Sequence, residues 1–241
     1  MTDPVAYPFT GPEYNQIATG TSDIDFWRWV VSSNGGRVLE LGIGTGRLAV
    51  QLLELCDEYH GIDIEPSMLE VVRAKLEAGA SQVALHAGSF IPLRLGLLFD
   101  LVLIPANTIS HVVSESDAQQ FFASVRGHLN EDGRFVVDTF NPRPRPDRGT
   151  YEFNRYLDPA DQQEVVVLST PERAGRTVTH HLEHLKDGIC FRKTTLVQRL
   201  YDRDDLAAAL EAAGFSSLEF FGDYSRQPLT ADSPRLIVRA T

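Results

Sequence analysis

Residues 37–49 read Arg-Val-Leu-Glu-Leu-Gly-Ile-Gly-Thr-Gly-Arg-Leu-Ala. The start of this stretch, RVLELG at 37–42, reads as a short buried strand. Gly42, Gly44 and Gly46 then interrupt it. Glycine permits positive φ and lets a ligand lie close to the backbone. From Arg47 to Asp57, Leu48, Leu52, Leu53 and Leu55 give a helical pattern. Strand, glycine loop and helix in that order put free N–H groups at a helix start. In an open α/β sheet that place holds anionic or adenosyl-type ligands.

The same alternation continues outward. Tyr59 to Ile64 is a second strand, and Pro66 opens the helix after it, where a fixed φ suits the first helical position. Met68, Leu69, Val72 and Leu76 form that helix's apolar face, and Gly79 ends it. Further strands fall at Gln82–His86, Phe99–Ile104 and Arg134–Phe140, the last entered by a turn at Asp132-Gly133. A helix over Glu115–Leu129 turns Phe121, Phe122 and Val125 inward. This spacing predicts a parallel sheet covered by helices. The prolines of NPRPRPD at 141–147 exclude helix and central strand. From Tyr151 to Leu200 the pattern turns strand-like, at Glu164–Ser169, Arg176–His184 and Cys190–Leu200. Turns at Ala174-Gly175 and Asp187-Gly188 make this block a small antiparallel sheet over one end of the main one. Asp202–Ala213 returns to helix, and strands at Ser217–Gly222 and Arg235–Arg239 finish the chain.

The spacing of the loop narrows its ligand. A dinucleotide fingerprint needs G-x-G-x-x-G, and Arg47 occupies the place of the third glycine. No Lys-Ser/Thr pair follows, so the loop is not a phosphate-cradling P-loop. Asp63 ends the second strand, 17 positions after Gly46. A carboxylate there accepts both hydroxyls of an adenosyl ribose, or caps the next helix.

Four stretches, RVLELGIGTGRLA, GIDIEPSMLEVVRAKL, FDLVLIPANTISHV and HLNEDGRFVVDTFNP, resemble successive motifs of the class I S-adenosylmethionine-dependent methyltransferases, in order over residues 37–142. The tail AGFSSLEFFGDYSRQPLTADSPRLIV is similar to a branch that includes N-methyltransferases acting on aminosugars and peptide α-amines. The resemblance implies an α/β, Rossmann-like, seven-stranded, mostly parallel sheet with an antiparallel last strand and helices on both faces. The small antiparallel β cover is added to it.

By the same resemblance S-adenosylmethionine is the cofactor. Glu40, Gly42, Gly44 and Gly46 would line its methionine part, Asp63 its ribose, and Ile64 and Met68 its adenine. Gly88-Ser89-Phe90 stands where the family has glycine, Asp and a small residue, so Ser89 offers the adenine amino group an uncharged acceptor. Pro105, Ala106 and Asn107 would border the amino-acid end. Tyr14 and Asn15 resemble an N-terminal lid segment that folds over the cofactor.

Other residues have two readings each. His111 lies at the rim after the fourth strand, and an ordinary pKa near about 6.5 suits proton transfer, although a capping or core role fits too. Asp138 and Asn141 lie near the end of the fifth strand, and Asp138 either holds a cationic acceptor or bonds backbone. Trp27 and Trp29 are two apart and cannot share one helical face, so one packs on the sheet or walls an aromatic pocket. His180 and His184 share a strand face and His181 points away, which gives no catalytic zinc set. Arg143, Arg145 and Arg148 form an anion-binding loop or a solvated linker.

The 241 residues carry 22 basic and 33 acidic side chains, a formal net charge of −11. That balance disfavours phosphate-backbone binding and docking on anionic membrane. Cys56 and Cys190 are too few for a disulfide framework or a four-thiolate zinc site. No metal is expected. The start lacks the basic and apolar segments of a signal peptide, and the expected setting is cytoplasmic.

The expected organisation is an N-terminal lid and helix at 1–36, a cofactor core at 37–142, a substrate cover at 143–200, and the last helix and strands at 201–241. The expected reaction is methyl transfer to an amine of a small molecule or short peptide by a monomer or homodimer, without nucleic acid. His111, Tyr14 and Asp138 are the candidate catalytic residues. An O-acceptor, or an adenosyl-binding scaffold without turnover, is the alternative.

Overall fold

The computed structural model describes residues 7–76, 82–142 and 149–241. Its main sheet has seven strands: β1 (Arg37–Leu41), β2 (Glu58–Asp63), β3 (Val83–Ala87), β4 (Phe99–Ile104), β5 (Leu129–Phe140), β10 (Leu218–Phe221) and β11 (Arg235–Ala240), in the order β10-β11-β5-β4-β1-β2-β3. Strands β3-β2-β1-β4-β5 run parallel, and β11 lies antiparallel to both β5 and β10. Rossmann-like order with an antiparallel last strand is therefore observed.

Alternation along the central strands builds two cores. Leu39 and Leu41, Val102 and Ile104, Phe135 and Val137 face one side, where α5 (Glu115–Arg126) and α6 (Arg203–Ala212) add Phe121, Phe122, Leu206 and Leu210. Val38, Leu101, Leu103 and Val136 face the other. There α2 (Ile24–Ser32), α3 (Ala49–Leu52) and α4 (Pro66–Lys75) contribute Phe26, Trp27, Leu52, Leu69 and Val72. Successive side chains on a strand point to opposite faces, so near-continuous apolar runs are what a sheet covered on both sides requires. Trp27 is buried on the sheet, and half-buried Trp29 packs at that core's edge, as their spacing predicts.

Some boundaries differ from the sequence reading. The helix expected over Arg47–Asp57 is a single α-turn, α3, followed by a 3₁₀ turn at Leu53–Leu55. The glycine loop takes its first residues, and β2 begins at Glu58. α5 stops at Arg126 because Leu129 already pairs with Phe99, and β5 reaches Arg134 through a register shift instead of starting there. The helix stop expected at Gly79 lies outside the described residues, as do Arg143, Arg145 and Arg148.

Strands β6 (Tyr151–Leu157), β7 (Glu164–Ala174), β8 (Thr177–Lys186) and β9 (Ile189–Arg199) form a second, fully antiparallel sheet in sequential order. Its apolar face gathers Tyr156, Val165, Val167, Leu182 and Leu196 against Phe9, Tyr7 and Tyr14. The N-terminal helix α1 (Gly11–Ile17) rests on α4 and β6, whereas α2 packs on α3. No helix among the described residues is long and apolar enough to cross a membrane.

Candidate functional site

Strand order reverses between β2 and β4 on either side of β1, so the loops after these strands diverge and leave a crevice at their carboxyl ends. The loop after β1 holds Gly42, Gly44 and Gly46 at φ of 68°, 55° and 73°. A β-carbon at Gly42 would stand 2.5 Å from Thr108 Cγ2, so the backbone there is in close contact with the rim of β4. Asp63, at the end of β2, receives the Gly44 N–H on Oδ2 at 2.8 Å and the Glu65 N–H on Oδ1 at 3.0 Å. Each oxygen keeps acceptor capacity for a further donor. Burial raises the Asp63 pKa against the pull of those N–H groups. Thr45 Oγ1, in the same loop, is buried without a hydrogen-bond partner among the described residues. A carboxylate with two spare acceptors beside a loop in left-handed conformation fits an adenosyl group with its vicinal hydroxyls.

Glu40 precedes the loop on β1 and is buried. Tyr59 donates its hydroxyl to Glu40 Oε2 at 2.6 Å, yet burial pushes the Glu40 carboxyl up to about 8. Ile64 is 53% exposed, whereas Met68 is 3% exposed beneath α1, whose Gly11 N–H donates to Ser67 Oγ at 2.9 Å. The two residues expected on the adenine thus differ sharply in accessibility. Ser89 is exposed, and its Oγ accepts the Ile91 N–H at 2.9 Å. Phe90 is turned into the core against Phe121.

Tyr14 on α1 overlies the glycine loop. Tyr7 meets Tyr14 edge-to-face, with ring centroids 5.8 Å apart. Burial pushes both hydroxyls above their ordinary range. Tyr7 also packs edge-on to His111, with ring centroids 5.8 Å apart. His111 ends a 3₁₀ turn, Thr108–His111, that follows β4, and burial lowers its pKa. The α1 helix, the glycine loop and the rim histidine thus meet in one place. The cover sheet reaches the same rim, where Gln198 on β9 donates to Ser110 Oγ at 2.9 Å, and beyond β9 the Tyr201 hydroxyl donates to the Val112 carbonyl at 2.6 Å.

Two expectations are corrected. Asp138 does not hold an acceptor, because it is fully buried and its carboxylate is already engaged. Arg235 pairs with its Oδ1 at 2.6 Å, while Tyr224 and the Ala106 N–H donate to Oδ2. Burial still raises its pKa against the attraction of Arg235. The Asn107 side chain is likewise committed, accepting from Thr139 Oγ1 and the Phe140 N–H and donating to Ser110. Pro105 is buried and Ala106 exposed at this rim. The Asn141 amide bonds carbonyls of the segment before β11. His180 is buried against Ser169 and His184 against Thr194, while His181 is exposed beside Glu172.

Sequence reasoning missed Tyr7, and it missed the fastening of α1 to the cover. Glu13 on α1 pairs with Arg192 of β9 at 3.0 Å and accepts from the Tyr156 hydroxyl at 3.1 Å. Arg192 also approaches His184 Nδ1 at 2.9 Å. Gln16 mimics a neighbouring strand, donating to the Leu157 carbonyl and accepting its N–H. Arg192 stands opposite His184 in the β8–β9 register, so hairpin pairing from the Asp187-Gly188 turn was the available signal. Arg47, in place of a third loop glycine, grips Asp23 with two bonds of 2.7 Å and so anchors the segment before α2.

A family model described as a methyltransferase domain matches residues 38–133. A Geobacillus sp. (strain WCH70) protein that carries a methyltransferase name is 27% identical over 210 residues, 83% of this chain and 82% of that one. Among solved structures, the CcbJ methyltransferase from Streptomyces caelestis is 25% identical with a TM-score of 0.77, over 92% and 90% of the two chains. An amino pentose methyltransferase from Micromonospora echinaspora, solved with S-adenosylmethionine bound, shares the fold at 20% identity and a TM-score of 0.68, over 94% of each chain.

Proposed function

The chain belongs to the class I S-adenosylmethionine-dependent methyltransferases, and from that premise we propose that it methylates an amine of a small molecule or short peptide. The observation that carries this reading is the setting of His111. Its imidazole lies at the rim after β4, under Tyr7, with a pKa lowered by burial. It is therefore neutral at physiological pH and ready to take a proton.

S-adenosylmethionine supplies a methyl group already activated on a sulfonium. What remains for the protein is to bind, align and manage a proton. The backbone at Gly42, Gly44 and Gly46, with Glu40 and the Pro105–Asn107 rim, borders the methionine end. Asp63 takes the ribose hydroxyls. Ile64 and Ser89, which stay exposed, are left to meet the adenine, while Met68 and Phe90 are buried behind them. Tyr14 and Tyr7 close over the loop and exclude water. Alignment of two reactants can lower a barrier by about 7–11 kcal/mol. An amine attacks through a free lone pair, so His111 accepts the proton it sheds, directly or through water. A positioned base of this kind contributes roughly 10²–10⁴-fold. The sheet β6–β9 selects the acceptor, since it stands over the carboxyl edge of the core and bonds the rim beside His111. The structural neighbour from Micromonospora, an amino pentose methyltransferase, supports an amine-bearing small molecule as the acceptor class.

Turnover of S-adenosylmethionine to S-adenosylhomocysteine over panels of aminosugars, peptide amines and hydroxylated metabolites tests the reading. Turnover on amines that falls in His111→Ala is expected. Turnover confined to hydroxyl acceptors would replace it with O-methylation, and cofactor binding without any turnover would leave a scaffold.

A further inference from the structure

Ala106 and Asn107, which follow β4 after Pro105, both adopt left-handed backbone, at φ of 55° and 68°. Consecutive non-glycine residues in this region are costly and persist only where their surroundings hold them. Here the holding group is buried. The Ala106 N–H donates to Asp138 Oδ2 at 3.1 Å, and the Asn107 N–H donates to the Asp138 carbonyl at 3.0 Å. Oδ1 of the same carboxylate receives Arg235 Nε at 2.8 Å, with the Arg235 guanidinium over Phe140 at 4.3 Å and Tyr224 at 5.6 Å. From Asn107 the bonds run on through Ser110 Oγ, at 3.1 Å, to Gln198 on the cover. His111 is the next residue.

We propose that Asp138 is a positioning residue for methyl transfer: its carboxylate holds the left-handed turn at Ala106–Asn107, and that turn sets His111 against Tyr7. The proposal rests on the role given to His111 above. Its chemical core is that three donors divide between the two oxygens of one side chain. Arg235 claims Oδ1, and the Ala106 N–H and the Tyr224 hydroxyl claim Oδ2. A carboxylate serves both, because all its sites are acceptors. An amide has one acceptor oxygen. In Asp138→Asn the stronger, charge-assisted partner Arg235 takes that oxygen. The amide nitrogen then faces the Ala106 N–H, donor against donor, whereas the Tyr224 hydroxyl can reverse its role.

The test is therefore a rescue. Asp138→Asn is expected to speed hydrogen exchange at the Ala106 and Asn107 amides at least tenfold. It should also lower kcat on the best amine of the panel about tenfold, with KM and the S-adenosylmethionine Kd within threefold of wild type. Adding Arg235→Met frees the oxygen for Ala106 and is expected to restore both exchange protection and kcat. A purely structural ion pair would behave in the opposite way, the second substitution worsening the first. Wild-type exchange in the single variant, or a double variant no better than the single, overturns the proposal. Exchange needs no acceptor, so failure of every amine is told apart from failure of this inference.

Discussion

Tyr14 lies directly over Gly44: a β-carbon at residue 44 would stand 3.3 Å from Tyr14 Cε1. Helix α1 thus rests on the same backbone whose N–H reaches Asp63. Gly44→Ala meets two costs. Left-handed backbone disfavours alanine by about 1–2 kcal/mol, and the methyl group presses on the tyrosine ring. A stability loss of about 1–2 kcal/mol in urea unfolding is expected, with tenfold weaker S-adenosylmethionine binding. Tyr14→Ala in the same chain relieves the steric part only. A double-mutant cycle with additive effects on cofactor affinity would show that Tyr14 does not cover Gly44 in solution.

Asp63→Asn keeps the shape of the side chain and removes half of its acceptor capacity. The N–H groups of Gly44 and Glu65 already use one site on each oxygen. Hydrogen bonds to a charged group contribute about 1.5–3 kcal/mol, so cofactor affinity should fall tenfold or more. The pH dependence has a definite sign. Burial raises the Asp63 pKa, so wild-type binding weakens as pH falls, starting at a higher pH than for an ordinary aspartate. Calorimetry from about pH 7.5 down through the carboxylate range should show this slope in wild type and a weaker Kd without the Asp63 step in Asp63→Asn. A flat wild-type curve would remove the carboxylate from the ribose.

The glycine loop and Asp63 were legible because they depend on local chemistry: alternate glycines after an apolar strand, then an acid at the end of the next strand. The role of Asp138 was not, because the residue that neutralises it, Arg235, is 97 positions away and meets it only through the antiparallel β5–β11 pairing. Asn107 misled for the same reason, its partners Thr139 and Phe140 lying on β5. Three strands of the cover were visible as alternation with two glycine turns, whereas β6 at Tyr151–Leu157 was not marked as a strand. The cover's fastening to Glu13 was not visible either, since 179 positions separate Glu13 from Arg192. Tyr7 carried no pattern of its own and is explained only by the rings it meets.

His111→Ala should lower kcat about hundredfold near neutral pH if the imidazole takes the proton. A base works when neutral. Burial lowers the His111 pKa, so its contribution persists below pH 6.5 and is lost as pH falls through the lowered value. The ratio of wild-type to mutant kcat should therefore stay large at pH 7 and decline only on the acid side. A ratio near one across the whole range would leave alignment as the sole catalytic device.

His184 should make the fastening of lid to cover sensitive to acid. It is fully buried. Nδ1 faces Arg192 at 2.9 Å and the Tyr156 hydroxyl at 3.3 Å, and Nε2 bonds Thr194 at 3.0 Å. The network assigns the N–H to Nε2, which leaves Nδ1 as the acceptor for Arg192. A proton added to Nδ1 would face a guanidinium. Burial first, and Arg192 second, lower the His184 pKa to about 4, although Glu13 opposes them. In the unfolded chain the value returns to about 6.5. The folded form therefore gains stability from neutral His184 above pH 6.5 and loses it progressively as pH falls towards 4. At 1.36 kcal/mol per unit the loss reaches about 3 kcal/mol. His184→Gln keeps an acceptor and a donor without titrating. Urea unfolding of both proteins between pH 7 and 4 should give curves that converge by about 3 kcal/mol towards the acid end. Carboxylates common to both cancel in that difference. Curves that stay parallel would mean that His184 takes up its proton as easily in the fold as outside it, and that the Arg192 contact does not hold it neutral.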